Sequence, residues 1–445
     1  MKIDVLQPVL PSDAPTDTAE SRWVGEIQAH DEFADTVSLK NGAGYQRARL
    51  LVRDGTSVRG FIEVGVEDAT VLGREVAREA SRLPHVGTAN DSANTVVAAS
   101  VVLCTRDRTD EAKRVIDSLL SMDHPDFEIV VVDNAASSLD TWRYVDGLGD
   151  PRVRVVHASV PGLAAARNRG LEEARREIVA FTDDDVVVDR HWLTCLTRAF
   201  TDDPSVACVT GLVPAAELRT AAQMTFENRV GWSTSVQRRT YRLSDKAIHG
   251  DLFPFRVSDY GTGANFAVRR SAAIALGGFD EALGAGSPTK GGEDIDWFVR
   301  TLVAGHTLVF EPDAVTWHQH REDDAALLSQ AHGYGLGLGA WITKVALDRH
   351  LAPLALARLR HATGHLVTSV SRRSVGVSQA APADSTGVAG AARAEVSGLL
   401  AGPRALLTAR AQGRKSAPFK RFPAADPEAP VFAARPIRGG RPSPH

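Results

Sequence analysis

Three adjacent carboxylates, Asp183, Asp184 and Asp185, follow one residue after the apolar run 177–181. Like charges crowded at the end of a buried strand repel one another, and a divalent cation with oxygen ligands turns that repulsion into a binding site. A hard ion held by few carboxylates keeps coordination positions for phosphate oxygens. The triplet therefore points to metal-assisted chemistry on a nucleotide or another phosphorylated compound. A solvated acidic turn has the same sequence in isolation, so the decision rests on what else converges on it. A further pair, Glu293-Asp294, follows the glycine-rich stretch 284–292 and opens a segment with Ile295, Phe298, Val299 and Leu302 at helical spacing. Both carboxylates then stand in a first helical turn, where a favourable interaction with the helix dipole competes with catalysis as their reason for being there.

The elements that must position these groups alternate. The valine-rich run 96–104 reads as a strand feeding a helix over 110–121, with Ala112, Val115, Ile116, Leu119 and Leu120 on one face. Strands follow at 127–132 and 153–157, a helix at 162–174, and the strand 177–181. Such alternation predicts an α/β domain with a mostly parallel sheet and helices on its faces. Ligands of open α/β sheets bind beyond the carboxyl ends of the strands. Thr105-Arg106, Asp133 and the acidic triplet each follow a strand there, so separate motifs converge on one crevice.

The series as a whole resembles glycosyltransferase family 2, the bacterial inverting nucleotide-sugar enzymes with a GT-A domain. The likeness runs through Val101-Val102-Leu103-Cys104-Thr105-Arg106-Asp107-Arg108, Val131-Val132-Asp133-Asn134, the GLAAARNRG run 162–170 and Phe181-Thr182-Asp183-Asp184-Asp185. It continues through 263–270, Gly277-Gly278-Phe279-Asp280-Glu281, Gly292-Glu293-Asp294-Ile295-Asp296-Trp297 and Trp317-His318, in order and spacing, over about half of the chain.

That resemblance implies a GT-A, Rossmann-like sheet and transfer of a sugar from a nucleoside diphosphate sugar to an acceptor hydroxyl, with Mg or Mn as cofactor. It implies Asp185 and His318 as metal ligands and Asp183 as shared between metal and ribose, while a structural histidine remains the alternative for His318. Asp184 is grouped with the donor site, or is turned away and bonded to backbone. Thr105, Arg106 and Asp133 would face the base and ribose, and Arg167 and Asn168, on the helix opened by Gly162, the diphosphate. Asp294 would be the general base. Gly263, Asn265, Glu293 and Trp297 would line the sugar and acceptor side, although Trp297 packs equally well in a core. The acceptor would be a glycan, a lipid-linked sugar or a small molecule, in the synthesis of a cell-surface polysaccharide or glycoconjugate. Two other classes share some of these features: a nucleotidyltransferase acting on sugar phosphates, which should carry a lysine-bearing triphosphate loop that 105–110 lacks, and a non-catalytic nucleotide-sugar-binding protein.

With 445 residues and 43% hydrophobic content the chain can bury a sizeable core and more than one domain. A formal net charge of -4 gives no reason to expect nucleic acid as partner. Cys104, Cys195 and Cys208 show neither disulfide nor zinc spacing, which fits a reducing cytoplasm. The first residues lack the apolar core of a signal peptide, and no uncharged run is long enough to span a bilayer. The expected organisation is a small N-terminal α+β module over 1–85, a linker over 86–95, the catalytic domain over 96–320, C-terminal helices over 321–370 and a mostly disordered basic tail over 371–445, with a short helix near 396–411. Lys415, Lys420, Arg421, Arg435, Arg438 and Arg441 in that tail offer a peripheral contact to anionic lipid at the inner face of the membrane.

Overall fold

The computed structural model describes residues 2–85, 96–361 and 385–419. The expected linker 86–95 and most of the basic residues of the tail lie outside the described residues.

The first part carries β1 (Ile3–Leu6), β2 (Arg22–Gln28), β3 (Phe33–Leu39), β4 (Arg47–Asp54), β5 (Ser57–Gly65), β6 (Thr70–Leu72) and α1 (Gly73–Arg82). These strands pair as two three-stranded sheets, β1-β3-β6 and β2-β4-β5. The β4–β5 hairpin turns at Asp54-Gly55, where Gly55 takes a φ of 59° that favours glycine. This module does not stand apart. Val24, Leu51 and Val58 enter the core beneath the main sheet, and Val58 N donates to Asp313 Oδ1 at 2.7 Å. Arg53, fully buried, makes ion pairs with Glu26 at 2.9 Å and Asp189 at 3.3 Å. An unpaired guanidinium at that depth would cost several kcal/mol, so the pairing pins module to domain.

The main domain begins with β7 (Ala99–Thr105), α2 (Thr109–Leu120), β8 (Phe127–Asn134), α3 (Asp140–Leu148), β9 (Val153–Ala158), α4 (Leu163–Glu173) and β10 (Ile178–Thr182). It continues with β11 (Val186–Val188), α5 (Trp192–Asp202), β12 (Val206–Leu212), α6 (Ala221–Val230), β13 (Arg239–Tyr241), α7 (Lys246–His249), β14 (Asn265–Arg269), α8 (Arg270–Ala275), α9 (Glu293–Val303) and β15 (Thr307–His318). These strands form one nine-stranded sheet of order β11-β15-β12-β14-β10-β7-β8-β9, with β13 also on β15. Strands β9, β8, β7, β10, β12 and β15 run one way, while β14, β11 and β13 oppose their neighbours. The domain is thus of the α/β, Rossmann-like, mostly parallel class.

Alternation along the central strands feeds two cores. Val102, Val130, Val132 and Phe181 point to one face, where Phe266 stacks on Phe181 with ring centroids 4.9 Å apart. Val101, Leu103, Ile129 and Val131 point to the other, against Ile116 and Leu119 of α2 and Trp192 and Leu196 of α5. Register then levels the strand ends: Thr105 lies opposite Asp133, and Thr182 opposite Leu103. The short β11 pairs with the end of β15, Val186 opposite His318, which carries Asp185 to the histidine.

Beyond the sheet lie α10 (Asp324–Leu347), α11 (Leu351–His361) and α12 (Ser385–Ala411). The short helix expected near 396–411 is longer in the structure: 27 residues from Ser385 to Ala411 form one helix packed along α10. The contact is built of glycine and alanine, which leave no periodic apolar signal but let backbones approach closely enough for dispersion to hold them. A Cβ at Gly335 or Gly339 would collide with the backbone of Glu395 or Leu399, and Gly398 and Gly402 sit as tightly on α10. Gly333 and Gly337 face the opposite way, toward the turn Lys290-Gly291. Buried charges complete the join: Arg410 holds both oxygens of Asp280 at 3.0 and 2.8 Å, and Lys344 meets Asp280 at 2.8 Å, Asp296 at 2.6 Å and the Ala417 carbonyl at 2.8 Å. Among the described residues, no helix is long and apolar enough to cross a membrane.

Candidate active site

The level strand ends open into a cavity of about 630 Å³, the size of a nucleotide-sized ligand site. Cys104, Thr105, the triplet Asp183-Asp184-Asp185 and His318 line its floor. Arg106, Arg108, Lys290 and Arg321 stand around it, and Gln330 and Tyr334 of α10 form a wall.

Each carboxylate of the triplet has a different partner. Asp184 accepts from Thr105 Oγ1 at 2.8 Å and from Arg108. Asp183 takes Arg167 at 3.1 Å. Asp185 faces His318 Nε2 at 3.4 Å, Arg321 at 3.2 Å and Arg108 at 3.6 Å. Burial raises the Asp183 carboxyl to about 7 and Asp184 to about 6, with the neighbouring carboxylates adding to the rise against Arg167 and Arg108. Burial opposes ionisation of Asp185 too, but its cationic neighbours outweigh it and the carboxyl stays below its ordinary value.

The histidine's proton order follows from what lies behind it. Glu227 Oε2 lies 3.0 Å from His320 Nε2, and an ionised carboxylate can only accept, so that nitrogen donates. With Nε2 of His320 as the donor, its Nδ1 is the nitrogen left to accept from Nδ1 of His318, 3.0 Å away. Burial pushes the His318 imidazole down to about 4, which keeps it neutral at physiological pH. Its Nε2 lone pair thus looks at an Asp185 oxygen with no hydrogen between them, an arrangement that suits a cation bound by both. The residues present fit a divalent ion in that respect. Among the described residues, no group of three or more His, Cys, Asp or Glu is arranged as a ready cage. Asp183 is turned to Arg167, so of the three expected ligands only Asp185 and His318 face each other.

Behind the floor, Arg167 organises a second set. Fully within the fold, it donates to Glu293 Oε1 at 2.9 Å, Asp183 Oδ1 at 3.1 Å and the Gly263 carbonyl at 2.9 Å. Gly263 N in turn donates to Asp294 Oδ2 at 2.9 Å, and Ile295 N to Asp294 Oδ1 at 2.8 Å. A Cβ at Gly263 would come within 3.0 Å of Arg167, which is why glycine fits there. Burial and the adjacent Asp294 raise the Glu293 carboxyl, with Arg167 opposing.

Several expected roles are corrected by this placement. Trp297 is wholly buried against Phe279 and Arg300, and so packs in the core and meets no acceptor. Asn265 is equally buried and braces strand ends, donating to the Leu212 and Ala314 carbonyls and accepting from Trp192 Nε1. Asn168 holds the Phe279 backbone and Glu281 instead of a diphosphate. Arg167, Glu293 and Gly263 bind one another behind the cavity rather than lining it. The first amides of α4 are also taken: Gly162 N donates to Asn134 Oδ1 at 2.9 Å and Leu163 N to the Ala285 carbonyl at 2.8 Å. Asp294 and Asp133 are not in the cavity wall. Asp133 is buried at the strand end with Oδ1 lacking a hydrogen-bond partner among the described residues, and burial raises its carboxyl.

Sequence reasoning assigned no role to Arg108, Asn134, Lys290, Arg321, Tyr334, His320 or Glu227. Arg108 and Asn134 sit inside the quoted motifs, and Arg321 three residues past His318, so proximity in the chain was a usable signal. Tyr334 and Glu227 had none, because tertiary packing of α10 and α6 brings them in.

Residues 100–277 match the family model described as glycosyl transferase family 2. A pre-mycofactocin glycosyltransferase of Mycobacterium tuberculosis is 30% identical over 236 residues, 53% of this chain and 46% of that protein. The succinoglycan biosynthesis protein ExoM of Rhizobium meliloti is 29% identical over 243 residues, 53% of this chain and 71% of that protein. A solved mannosyltransferase of Pyrobaculum calidifontis, in complex with GDP-Man and Mn2+, superposes with a TM-score of 0.46 at 18% identity over 69% of this chain and 88% of its own. The chain spans about half the length of the mycobacterial relative. The match over the segment that builds the strand ends and the acidic triplet shows that this chain carries a glycosyl transferase family 2 domain.

Proposed function

We propose that the chain is an inverting, metal-dependent glycosyltransferase that moves a sugar from a nucleoside diphosphate sugar to an acceptor hydroxyl, in the making of a cell-surface polysaccharide or glycoconjugate. The observation that carries this reading is a single cavity with a carboxylate and imidazole floor and a cationic rim. A divalent ion and a diphosphate together match both signs of charge. Asp185 and His318 would hold the Mg or Mn ion, which when bound supplies positive charge to the leaving diphosphate.

This chain's own residues carry the remaining work. Arg108 and Arg321, now paired with the triplet, are placed to transfer their charge to phosphate oxygens, with Lys290 across the cavity. Thr105 holds Asp184 in place at the strand end. Asp294, fixed by amides of Gly263 and Ile295, takes the proton of the acceptor hydroxyl. The freed oxygen bonds to the anomeric carbon, the bond from that carbon to the diphosphate breaks, and its electron pair leaves on the phosphate. One displacement on the opposite face inverts the anomeric centre. A panel of nucleoside diphosphate sugars, titrated by calorimetry with Mn2+ present, should yield at least one tight donor whose binding weakens in chelator; no binding across the panel would contradict the reading.

α10 sets the approach to the base. A Cβ at Gly337 would lie 2.5 Å from the carbonyl carbon of Gly291, so Gly337→Ala must shift the turn leading into Glu293-Asp294. Misplacement of about 1 Å can lower a rate about 10²-fold, and we expect turnover to fall on that scale. Gly333→Ala, whose Cβ would meet nothing nearer than 3.6 Å, should leave it unchanged. Steady-state rates of the pair check this, and equal rates would show that the contact does not position the turn.

A further inference from the structure

A chain of polar side chains leaves His318 on the side away from Asp185 and ends on the N-terminal module. His318 Nδ1 lies 3.0 Å from His320 Nδ1, and His320 Nε2 lies 3.0 Å from Glu227 Oε2. Glu227 Oε1 accepts from Ser233 Oγ at 2.6 Å and from Arg49 at 3.0 Å, and the other arm of Arg49 reaches Ser233 Oγ at 2.9 Å. Arg49 belongs to β4 of the module, its guanidinium 4.5 Å from the Phe61 ring centroid, whereas Glu227 sits on α6, His318 ends β15 and His320 lies two residues past it.

We propose that Arg49, Glu227 and His320 are positioning residues for His318: they fix its tautomer and ring plane so that Nε2 presents a lone pair to a divalent ion, and the N-terminal module is thereby part of the construction of the metal site. The inference rests on the reading of Asp185 and His318 as metal ligands and extends it to a module with no assigned role.

Free imidazole can place its proton on either nitrogen, and a ligand with the proton on the coordinating side cannot bind. The carboxylate of Glu227 removes that choice, because it accepts only and so orders each proton along the chain toward itself. Left alone, Glu227 would be a buried charge among Phe226, Trp232 and the histidines. Arg49 supplies the compensating cation at partial burial, its side chain 19% exposed against 6% for Glu227. Ring rotation is blocked as well. Trp232 stands edge-on to His318 with centroids 5.6 Å apart, and Phe226 edge-on to His320 at 4.6 Å. No shorter connection from the module to the cavity is needed for the effect: the module delivers one guanidinium, and the chain carries its consequence to the metal ligand.

The test is titration of the full-length protein with Mn2+ alone, followed by electron paramagnetic resonance, for the natural protein and for Asp185→Asn, His320→Phe, Glu227→Gln, Arg49→Ala and Arg49→Lys. Melting of each in excess chelator reads the fold separately. His320→Phe keeps the aromatic packing and loses the hydrogen bonds, and we expect Mn2+ affinity to fall about 10- to 100-fold, as for other outer-shell partners of metal ligands. Arg49→Ala should weaken Mn2+ in the same direction with melting in chelator little changed, and Arg49→Lys, which restores the charge and one donor, should recover part of the loss. Glu227→Gln retains the shape if a larger change unfolds the protein, and should weaken Mn2+ as well. Natural-type affinity in His320→Phe, Glu227→Gln and Arg49→Ala, with Asp185→Asn defective, would overturn the positioning chain and leave the metal reading standing. Affinity losses that only track a lowered melting point, unrelieved in Arg49→Lys, would also overturn it. Natural protein that binds no Mn2+, or that binds it no better than Asp185→Asn, would overturn the metal reading itself and the positioning chain with it.

Discussion

Asp294→Asn should lower the turnover of sugar transfer by about 10² to 10⁴, the usual range for a lost general base, with donor and Mn2+ affinity nearly unchanged. The substitution keeps size and one acceptor oxygen, so it can hold one of the two amides, Gly263 N at 2.9 Å or Ile295 N at 2.8 Å, and melting of the variant checks that losing the other leaves the first turn of α9 in place. What it loses is the capacity to take a proton. The neighbouring carboxylate is the internal control. Glu293 is buried and tied to Arg167 at 2.9 Å, and Glu293→Gln can still accept that bond. It should retain most of its turnover, and any loss should come from movement of Arg167 and hence of Asp183. Rates and donor affinities of both variants decide the point: near-normal turnover in Asp294→Asn together with a collapse in Glu293→Gln would move the base to Glu293.

Asp185→Asn should abolish measurable Mn2+ binding and lower turnover by about 10³ or more, since charge stabilisation by a metal ion is worth several kcal/mol in the transition state. An amide is a poor ligand for a hard ion, and His318 alone cannot replace the pair. The fold should survive. The cations released, Arg108 and Arg321, have side chains 30% and 42% exposed and can turn to solvent, and Asp183 and Asp184 lose a like-charged neighbour. Melting in chelator therefore stays near that of the natural protein, while the stabilisation by added Mn2+ disappears. A variant that still gains stability and rate from Mn2+ would place the ion elsewhere.

Much of the architecture was legible because its signals are local. The runs ending at Thr105, Asp133 and Phe181 are apolar, short and bounded by polar residues, and the helices between them carry one apolar face. Where the sequence misled, a tertiary contact had replaced the local signal. α12 holds to α10 through glycines and alanines, so its first part, 385–395, looks like a tail without periodicity. Trp297 follows the acidic pair in the chain, but on α9 it turns inward to Phe279, while Asn265 looks like a sugar contact and is spent on carbonyls of β12 and β15. The acidic part of the cavity floor was readable from charge crowding, whereas His318 came only with the family resemblance. The far side of the cavity was not readable, because Lys290 and Tyr334 reach it through a turn and a helix whose course no spacing in the chain reveals.

The central claim, metal-dependent sugar transfer at the acidic strand end, is tested most directly by release of nucleoside diphosphate from the tight-binding donor. Purified protein with that donor, an acceptor glycan and Mn2+ should release it steadily, excess chelator should stop the release, and renewed Mn2+ should restore it for the natural protein and not for Asp185→Asn. Undiminished release in chelator, or in Asp185→Asn, would contradict the account.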